Sequence, residues 1–401
     1  MENRVGNCIF GVSYAGRNRE RLSIIRGRTT SIRDGHFGSP DRGRDGGLVN
    51  DKKQWMIYGA NGYTGRLIAE EAKRQDLAPV LAGRSARAIE ALARELALPY
   101  RAFDLADGSA ARAALADVAV VANCAGPFSA TSERMIDACL ATRTHYADIT
   151  GEIAVFVDAQ LRHDVARAAG IVICPGVGFD VIPTDCVAAC LKDALPDATQ
   201  LALGFAGAGA ISPGTARTSI EGLKLGGRVR TAGHIVQVPL AYRARMIDFG
   251  TGDRLAVTFP WGDIATAYFS TGIPNIEVYI ASSPAALLRL RRLNRIRKLL
   301  AVAPIEAVAK RIAGRVNTGP SPERFASGTT YVWGEARNSG GSIRTARLTT
   351  SNGYRLTVDG VLLAVQTLLE SAPGGGYYTP SQLLGPRCVE SLPGSSAIAI
   401  D

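Results

Sequence analysis

YGANGYTG, residues 58–65, is the most informative segment of this 401-residue sequence. It follows the apolar run Trp55–Tyr58 and opens the segment Tyr63–Arg74, in which apolar residues recur with helical spacing. A buried strand, a glycine-rich turn and an amphipathic helix in this order form the first unit of a dinucleotide-binding fold. The segment therefore predicts a Rossmann domain that begins near Gln54.

The three glycines of this segment have separate physical roles in such a fold. Gly59 permits a sharp turn, Gly62 lets the backbone approach a pyrophosphate, and Gly65 lets the helix pack closely on the sheet. Free N–H groups and the helix dipole then favour phosphates at the helix N-terminus. A glycine-rich turn without a ligand is the alternative, but the strand before it and the helix after it favour nucleotide binding. The predicted cofactor-binding residues of this loop are Gly59, Asn61, Gly62, Tyr63, Thr64 and Gly65.

Apolar strands and amphipathic helices continue to alternate as far as Cys174. Continuous apolar strands between such helices are typical of a parallel sheet covered on both faces, which predicts a doubly wound α/β domain. After the first, the predicted strands are Pro79–Ala82, Tyr100–Phe103, Val118–Asn123, His145–Ile149 and Ile171–Cys174. The predicted helices that follow the first one are Ala86–Leu96, Ser132–Ala141 and Ile153–Ala168.

The end of the second predicted strand indicates which dinucleotide binds. An NAD-binding domain usually places Asp or Glu there to hold the ribose 2′-hydroxyl. This sequence has Arg84 instead, and a guanidinium at that position matches a 2′-phosphate. We therefore predict NADP(H), with a solvated and purely structural Arg84 as the alternative. The remaining predicted cofactor contacts follow the third and fourth strands and are Asp104, Ala125, Gly126 and Pro127.

Polar residues after the fifth and sixth strands are candidates for the chemistry. Asp148 fits the end of a parallel strand facing the ligand crevice, where it could orient a substrate or relay a proton. Thr150 as an N-cap and Glu152 as a first-turn acid are the structural alternative at this strand end. In the hinge after the sixth strand, Asp180 and Asp185 are predicted helix caps, and Asp180 is also a candidate ligand contact.

After Pro183 the sequence changes to strands in which apolar and polar residues alternate. This pattern predicts a second, α+β domain with a mostly antiparallel sheet, and residues 338–341 (NSGG) give it a hairpin signal. The predicted strands are Gln200–Phe205, Ile235–Pro239, Leu255–Phe259, Ile276–Ile280, Thr330–Arg337 and Ser342–Thr349. The polar-aromatic segments PWGD at Pro260 and YFSTGIPN at Tyr268 could line a substrate pocket, with Tyr268 as a candidate proton donor. Ordinary turn chemistry is the alternative for each of these residues.

These patterns divide the chain into four segments. Residues 1–53 are a predicted disordered basic extension, because they are rich in Arg, Gly, Ser and Asp and lack periodicity. Residues 54–182 form the predicted NADP-binding domain, and residues 183–354 the predicted substrate or dimerisation domain. Residues 355–401 are predicted to form a helix, Arg355–Leu369, and an irregular tail that return to the first domain.

Composition limits the remaining function classes. The hydrophobic share of 46% and the charged share of 20% are those of a globular protein. No apolar run reaches the ~18 residues of a spanning helix and no secretory signal is evident, so we expect a cytoplasmic protein. Seven cysteines without a C-x-x-C pair and only four histidines predict reduced thiols and no metal site.

The net charge of +10 is not concentrated in a pattern that indicates nucleic acid, and we predict no such partner. The main basic feature outside the extension is the amphipathic segment Leu287–Leu300. It could contact a membrane surface or an acidic carrier protein, whereas a solvated helix face over the sheet is the simpler interpretation. A homodimer is a further hypothesis.

Taken together, these segments resemble the saccharopine dehydrogenase-like NADP-binding proteins, in particular their trans-acting enoyl reductase branch. The resemblance runs from about Gln54 to Leu392, and residues 1–53 have no counterpart in it. Its motifs are YGANGYTG at Tyr58, LAGR at Leu81, NCAGPF at Asn123, HYADITGE at His145, PGVGFDVIPTD at Pro175, PWGDIATAYFSTGIPN at Pro260, VWGEAR at Val332 and YTPSQLLGP at Tyr378. The resemblance implies a Rossmann domain, an inserted α+β domain and an NADP cofactor, but it carries no certain catalytic residue onto this sequence.

Three functions are compatible with this resemblance and with the residues. The enoyl reductase branch implies NADPH-dependent reduction of a double bond in an acyl thioester, beside a polyketide synthase in lipid synthesis, and we favour this function. The saccharopine type implies reduction of an imine formed from an amino acid and an aldehyde, for which Arg217, Arg228 and Arg230 could clamp carboxylates. The third is a non-catalytic NADP-binding protein that attaches to lipid surfaces through residues 287–300.

Overall fold

The structure is a computed structural model that describes residue 52 and residues 54–207, 226–300 and 328–401. Apart from Lys52, the predicted extension of residues 1–53 therefore lies outside the described residues, and so does Arg217. The described residues form two β-sheets with helices packed on them, and the first strand begins at Gln54 as predicted.

The first sheet has seven parallel strands among the described residues. They are β1 (Gln54–Tyr58), β2 (Val80–Gly83), β3 (Tyr100–Ala102), β4 (Val118–Asn123), β5 (His145–Asp148), β6 (Val172–Cys174) and β15 (Gly376–Tyr377). Their order is β15-β6-β5-β4-β1-β2-β3, so the chain runs outward from β1 to β3 and then crosses to the other side of β1. This is the order of a doubly wound Rossmann sheet with one strand added beside β6, which confirms the predicted fold class.

Six helices connect the strands of this sheet. They are α1 (Tyr63–Arg74), α2 (Ala86–Leu96), α3 (Gly108–Leu115), α4 (Phe128–Thr142), α5 (Ile153–Leu161) and α6 (His163–Ala169). Helix α3 is missing from the sequence prediction because it is short and mostly alanine. It is started by the Asp107 carboxylate, which accepts hydrogen bonds from the N–H groups of Ser109 and Ala110, both at 3.0 Å. The single helix predicted for residues 153–168 is two helices, because the backbone leaves helical angles at Arg162 (φ −91°, ψ 7°).

The central strand β1 shows why the apolar runs carry no polar alternation. Trp55 and Ile57 enter a core formed with α1, α2 and the C-terminal helix α10 (Gly353–Ser371), whereas Met56 and Tyr58 enter a core formed with α3 and α4. Both faces of the strand are therefore buried, as expected for a parallel sheet covered by helices.

The second sheet has nine strands among the described residues. They are β7 (Ala198–Ala206), β8 (Gly227–Thr231), β9 (His234–Val238), β10 (Ala244–Asp248), β11 (Asp253–Thr258), β12 (Asn275–Ala281), β13 (Thr329–Asn338), β14 (Ile343–Ser351) and β16 (Ala399–Ile400). The main path is β10-β11-β12-β7-β13-β14-β16, and β8 pairs with β12 and β9. The β12–β7 pair is parallel and the other described pairs are antiparallel, which confirms a mostly antiparallel sheet. The predicted hairpin is present, since Arg337 pairs with Ile343 across residues 338–341.

One face of the second sheet is covered by α7 (Ile182–Ala194) and α8 (Asp263–Thr271). Leu191 of α7 and Ile264 of α8 share a core with Leu203 of β7. Because α7 begins eight residues after β6 ends, the hinge that contains Asp180 connects the two sheets by a short path.

The basic segment forms helix α9 (Pro284–Leu300). Its Asn294 amide exchanges two hydrogen bonds with the backbone of Leu240, at 2.8 and 3.0 Å, and thereby fastens the helix to the second domain. Leu287 and Leu290 are half-buried, but Leu288 is 54% exposed. Contact with a membrane or a carrier protein stays a prediction. Within the described part of the chain, no helix has the length and apolar character needed to cross a membrane.

The C-terminal region is more ordered than predicted, and it serves both sheets. Strand β15 joins the edge of the first sheet, and helix α11 (Pro380–Leu384) begins with a capping box between Thr379 and Gln382. A 3-10 helix, Cys388–Ser391, packs into the second core, and β16 pairs with β14. The prediction of an irregular tail that returns to the first domain is therefore wrong after α11, because these pairings depend on distant strands.

Helix α10 is joined to α1 by a charged network around Glu71, which is only 8% exposed. Arg74 Nε donates to Glu71 Oε2 at 2.9 Å, Gln75 Nε2 donates to Glu71 Oε1 at 2.7 Å, and Arg355 of α10 lies 3.4 Å from Glu71. Arg355 also pairs with Asp359 at 2.8 Å. The hydrogen bonds from Arg74 lower the pKa of Glu71 to about 2 against the effect of burial, so the carboxylate is stabilised in the folded state.

We expect Glu71→Gln to lower the free energy of unfolding near neutral pH by about 1–2 kcal/mol, after allowance for the screening of exposed Arg74. Because the folded-state pKa of Glu71 is lowered from 4.5, this contribution is present above about pH 4.5 and is lost as the pH falls towards 2. The measurement is urea unfolding of wild type and variant between pH 3 and 7. Glu70→Gln, which removes an exposed carboxylate paired with Arg66, is the matched control and should cost less than about 0.5 kcal/mol. Equal losses in the two variants at pH 7 would contradict the assignment.

Candidate nucleotide-binding and active site

The glycine loop turns directly from β1 into α1. Gly59 has a φ of +82°, a left-handed conformation that favours glycine. The N–H groups of Gly59 and Ala60 donate to the Ala82 carbonyl of β2 at 2.7 and 3.1 Å, and Gly62 N–H donates to the Gly59 carbonyl at 2.9 Å. The loop is therefore a rigid turn that is held by the neighbouring strand.

Side chains at two of the three glycines would collide with backbone. A Cβ on Gly59 would lie 2.8 Å from the Ala125 nitrogen, and a Cβ on Gly65 would overlap the Gly59 carbonyl oxygen. A Cβ on Gly62 would meet only that same oxygen, at 3.2 Å. Gly59 and Gly65 are thus required by the turn and by helix packing, whereas Gly62 leaves its side of the loop clear for a ligand.

The N-terminus of α1 has the properties of an anion-binding site. Gly62 is the N-cap, no side chain caps the first turn, and the first turn contains no acidic residue. Tyr63 and Thr64 begin the helix half-buried, and Asn61 before them is exposed, with its Oδ1 near Gly83. Because the first N–H groups of a helix have no partner within the helix, they and the dipole favour a phosphate here.

Arg84 and Asp104 lie at the ends of β2 and β3, on the adenosine side of the glycine loop. Arg84 is exposed, and within the described ranges its guanidinium forms no hydrogen bond or ion pair. Asp104 is also exposed, and its Oδ1 accepts from Ala106 N–H at 2.9 Å. Burial and then Asp104 raise the pKa of Tyr58 while Arg84 lowers it, so both charges act at the end of β1.

The loop after β4 is fixed by Asn123, which is completely buried. Its Oδ1 accepts from Ala125 N–H at 3.1 Å and its Nδ2 donates to Thr131 Oγ1 at 3.3 Å. Thr131 Oγ1 in turn donates to the Ala125 carbonyl at 2.7 Å. Gly126 and Pro127 follow as exposed residues. Since Ala125 contacts Gly59, this loop borders the crossover point between β1 and β4 at which such folds bind their ligands.

Asp148, at the end of β5, has no exposed surface. Its Oδ2 accepts from the Tyr146 hydroxyl at 2.6 Å, and its Oδ1 accepts from the N–H groups of Thr150 and Gly176, both at 2.9 Å. Burial raises the pKa of Asp148 to about 6, against the lowering effect of these hydrogen bonds. The side chain fastens the loop after β5 to the loop after β6, so its geometry favours a positioning role over contact with substrate.

Glu152 is not an acidic residue in the first turn of α5, so that sequence prediction is wrong. It is the residue before α5, and its carboxylate accepts from the N–H groups of Phe128 and Ser129 at 2.8 and 2.9 Å. Thr150 Oγ1 accepts from Glu152 N–H at 3.0 Å. The N-terminus of α4 is therefore already neutralised by a side chain, unlike the N-terminus of α1.

Three aspartates lie where the hinge enters the second domain. Asp180 and Asp185 do not cap α7, because Val181 is its N-cap and no side chain caps it, so the predicted caps are wrong. Asp185 Oδ2 instead accepts from Ser381 N–H at 2.8 Å. Asp263, the aspartate of the PWGD segment, is fully buried at the first residue of α8. Burial raises the pKa of all three, that of Asp180 to about 7.

Tyr268 lies half-buried on α8, where Arg230 stacks on its ring at 4.1 Å from the centroid. Arg230 Nε donates to the Ile264 carbonyl at 2.8 Å, and a second guanidinium nitrogen donates to the Gly233 carbonyl. Two of the guanidinium nitrogens of Arg230 are thus bonded to backbone carbonyl oxygens, and its use as a carboxylate clamp stays a prediction. The proposed role of Tyr268 as proton donor stays a prediction.

Cys124 in the NCAGPF segment is a packing residue in this geometry. Burial raises the pKa of its thiol to about 12, and Asp148 raises it further, so a thiolate is disfavoured at neutral pH. This agrees with the absence of an activating base in the sequence around it.

The segment from β1 to β6 has a counterpart among known domains. Residues 55–174 match the family model described as the saccharopine dehydrogenase NADP binding domain. This part of the chain, less than half of its length, is thus similar to the NADP binding domain of the saccharopine dehydrogenase family. NADP(H) is therefore its cofactor, and the resemblance and the cofactor predicted from the motifs are confirmed.

Curated relatives align with about a third of this chain. A saccharopine dehydrogenase-like oxidoreductase from Homo sapiens is 31% identical over 150 residues, which cover 32% of this chain and 35% of that protein. A trans-acting enoyl reductase from Mycobacterium leprae is 34% identical over 145 residues, covering 34% of this chain and 35% of that protein. The chain thus matches little more than a third of the length of either relative.

One solved structure has a similar fold over most of this chain. Apo saccharopine dehydrogenase (L-Glu forming) from Saccharomyces cerevisiae superposes with a TM-score of 0.59 at 12% identity, covering 87% of this chain and 99% of that chain. At this identity the likeness shows the fold, a Rossmann sheet joined to a second domain with a mixed sheet.

The described residues of the family domain fit NADP(H) along the carboxyl edge of the first sheet. The uncapped α1 N-terminus and Gly62 suit the pyrophosphate, and the unpaired Arg84 suits the 2′-phosphate. The nicotinamide half then belongs on the β4–β6 side of the crossover, beyond the loop of Ala125.

Arg84→Asp should weaken NADPH binding by about 10- to 100-fold, because a charge-assisted bond to the 2′-phosphate contributes about 1.5–3 kcal/mol. NADH binding should be unchanged or stronger, since the new carboxylate can accept from the 2′-hydroxyl. The measurement is fluorescence titration with each nucleotide. Arg344→Asp, an exposed charge reversal on β14, is the control and should leave the preference as in wild type. An unchanged preference in Arg84→Asp would reject the 2′-phosphate assignment.

Gly65→Ala should displace α1 from the loop, because the new Cβ overlaps the Gly59 carbonyl oxygen. Overpacking of this kind costs about 1–3 kcal/mol, and the phosphate-binding N–H groups should shift with the helix. We expect a lower melting temperature and weaker NADPH binding by titration. Gly108→Ala at the start of α3, where a Cβ would meet only the flexible end of Arg112, is the control. Wild-type binding and stability in Gly65→Ala would show that the helix tolerates the contact.

Proposed function

We propose that this chain is an NADPH-dependent reductase that acts on the carbon–carbon double bond of an enoyl thioester. The reductase is supported by the match to an NADP binding domain, in which the N-terminus of α1 has no side-chain cap and Arg84, at the end of the neighbouring strand, is unpaired within the described residues. The choice of an enoyl substrate is supported by relatives named trans-acting enoyl reductases from two mycobacterial species. When bound, NADPH supplies the hydride.

The chain's own residues bind and orient in this scheme. The first-sheet loops are held in place by groups that are already paired: Asn123 for the β4 loop, Asp148 for the β5 and β6 loops, and Glu152 for the start of α4. Because these loops are already fixed by hydrogen bonds, they can hold a nicotinamide and the adjacent substrate carbon in a reactive position, and the loops need not move during the reaction. The substrate approaches from the side where α7 and α8 of the second domain face the hinge.

The saccharopine-type alternative receives less support from the second domain. It needs free cations for several carboxylates, yet Arg230 is bonded to two carbonyl oxygens and Arg228 also has an interaction partner. Arg217, the third candidate, lies outside the described residues. The contacts of Arg230 therefore favour the acyl substrate over an amino-acid adduct.

Purified protein should oxidise NADPH when given a 2-enoyl thioester such as crotonyl-coenzyme A, with one NADPH consumed per double bond. The saturated butyryl thioester is the matched substrate control, and Gly65→Ala is the control for the nucleotide site. The measurement is the loss of NADPH absorbance together with product mass. NADPH oxidation with glutamate plus an aldehyde, but with no enoyl thioester of any chain length, would reject the enoyl substrate in favour of the imine.

A further inference from the structure

Asp180 differs from the other carboxyl groups of the crevice. Asp148 and Glu152 each accept at least two backbone hydrogen bonds. The Asp180 carboxyl group is partly exposed and, among the residues that the structure describes, it has no hydrogen-bond or ion-pair partner. The Asp180 carboxyl group therefore forms none of the hydrogen bonds or ion pairs that hold the described structure together.

Two elements from different domains fix the position of Asp180. The indole Nε1 of Trp261, in the loop before α8, donates to the Asp180 carbonyl at 2.7 Å. On the other side, a Cβ on Gly151 would lie 2.7 Å from Asp180 Oδ2, so the glycine after β5 leaves the space that the carboxyl group fills. The backbone is thus anchored by the second domain while the side chain lies against the first.

This position is in the nicotinamide half of the crevice. Gly59 contacts Ala125 in the β4 loop, and the start of α4 that follows this loop is bonded to Glu152, the neighbour of Gly151. Asp180 therefore lies on the β4–β6 side of the crossover point, against the loop that follows β5 and on the side opposite Arg84. Dinucleotide folds place the reacting ring on this side of the crossover.

We propose that the Asp180 carboxyl group is the proton donor of the reduction, an inference that rests on the proposed function. As hydride reaches the β-carbon of the enoyl thioester, the electron pair of the double bond moves to the α-carbon. The Asp180 O–H bond breaks and a C–H bond forms at the α-carbon, which leaves a saturated thioester and an Asp180 carboxylate. Because the side chain is partly exposed, solvent returns the proton.

The surroundings of Asp180 keep a proton available near neutral pH. Burial raises its pKa to about 7, close to the value at which a general acid works best. Three adjoining elements carry further carboxyl groups: Asp185 on α7, Asp263 on α8 and Glu152 before α5. Arg355 on α10 is paired with Glu71 and Asp359. In the described part of the chain no cation pairs with Asp180, and an ordinary solvated aspartate would be ionised at this pH.

The test uses Asp180→Asn, which keeps the shape and removes the proton. Asp193→Asn, at an exposed position on α7, the helix that follows Asp180, is the matched control. We expect kcat with an enoyl thioester to fall by about 100-fold or more in Asp180→Asn, with NADPH affinity unchanged. The wild-type kcat should fall as the pH rises through about 7, and this dependence should be absent in the variant. Infrared titration of the protein without substrate should show a carboxylic acid band near neutral pH that Asp180→Asn removes.

The outcomes separate this inference from the proposed function. If wild type reduces enoyl thioesters and Asp180→Asn keeps both its rate and its pH profile, the reductase stands and Asp180 is not the donor. If the variant loses NADPH binding as well, or Asp193→Asn loses as much activity, the effect is structural and the inference is rejected. If wild type binds NADPH but reduces no enoyl thioester, the proposed function fails, and this proton transfer fails with it.

Discussion

Helix α10 is the element on which both layers depend, because it supplies apolar residues to two cores at once. Val358 and Val361 pack into the first-sheet core, and Leu356 packs into the second-sheet core. Thr357 Oγ1 on the same helix accepts from Phe179 N–H in the hinge at 3.0 Å. Burial of a few such side chains, each contributing about 1.5–3 kcal/mol, is comparable with the whole stability of a domain.

The same helix also reaches the nucleotide loop. Tyr354 in its first turn contacts the ring of Tyr63, at the start of α1, with ring centroids 5.1 Å apart. Helix α10 thus contacts the start of α1, the hinge and both hydrophobic cores. A crevice between two domains can hold a nicotinamide and a substrate in register only if the domains keep a fixed relation, and α10 provides part of it.

The charges of the crevice follow a simple electrostatic rule. Helices α1 and α4 follow the two strands that flank the crossover point, and the N-terminus of each would attract an anion. Glu152 neutralises the one at α4 with two short hydrogen bonds, whereas the one at α1 has no acidic residue near its first turn. Of these two N-termini, the one at α1 therefore suits the phosphates better, and the exposed Arg84 at the end of the neighbouring strand suits the 2′-phosphate.

Local patterns were sufficient to predict strands β1 to β6 of the first sheet, because strands such as β1 and β4 are continuous apolar runs and the helices between them have helical spacing of apolar residues. The hairpin of β13 and β14 was predictable for the same reason, since its turn residues lie next to both strands. Strands β15 and β16 could not be predicted in this way. Each has only two residues, which is too short to show an alternation of apolar and polar residues, and their pairing partners lie far away in the sequence.

Among the site residues, the glycines and Arg84 could be placed from spacing alone. The role of Glu152 could not, because its hydrogen-bond acceptance from the start of α4 spans 23–24 residues. Asp180 was visible in the sequence only as a hinge residue. Its position against Gly151 and its anchoring by Trp261 arise from the packing of two domains, which no local pattern records.

The entry of β15 into the first sheet has a consequence for how the protein is made. The first sheet takes its seventh strand, and part of its core, from residues beyond 352, after eight of the nine described strands of the second sheet have been synthesised. A nascent chain released only as far as β6 would show a bare sheet edge and an uncovered apolar face. The first sheet is thus encoded first but completed only near the end of synthesis, and these long-range contacts predict slow, cooperative folding of both sheets together.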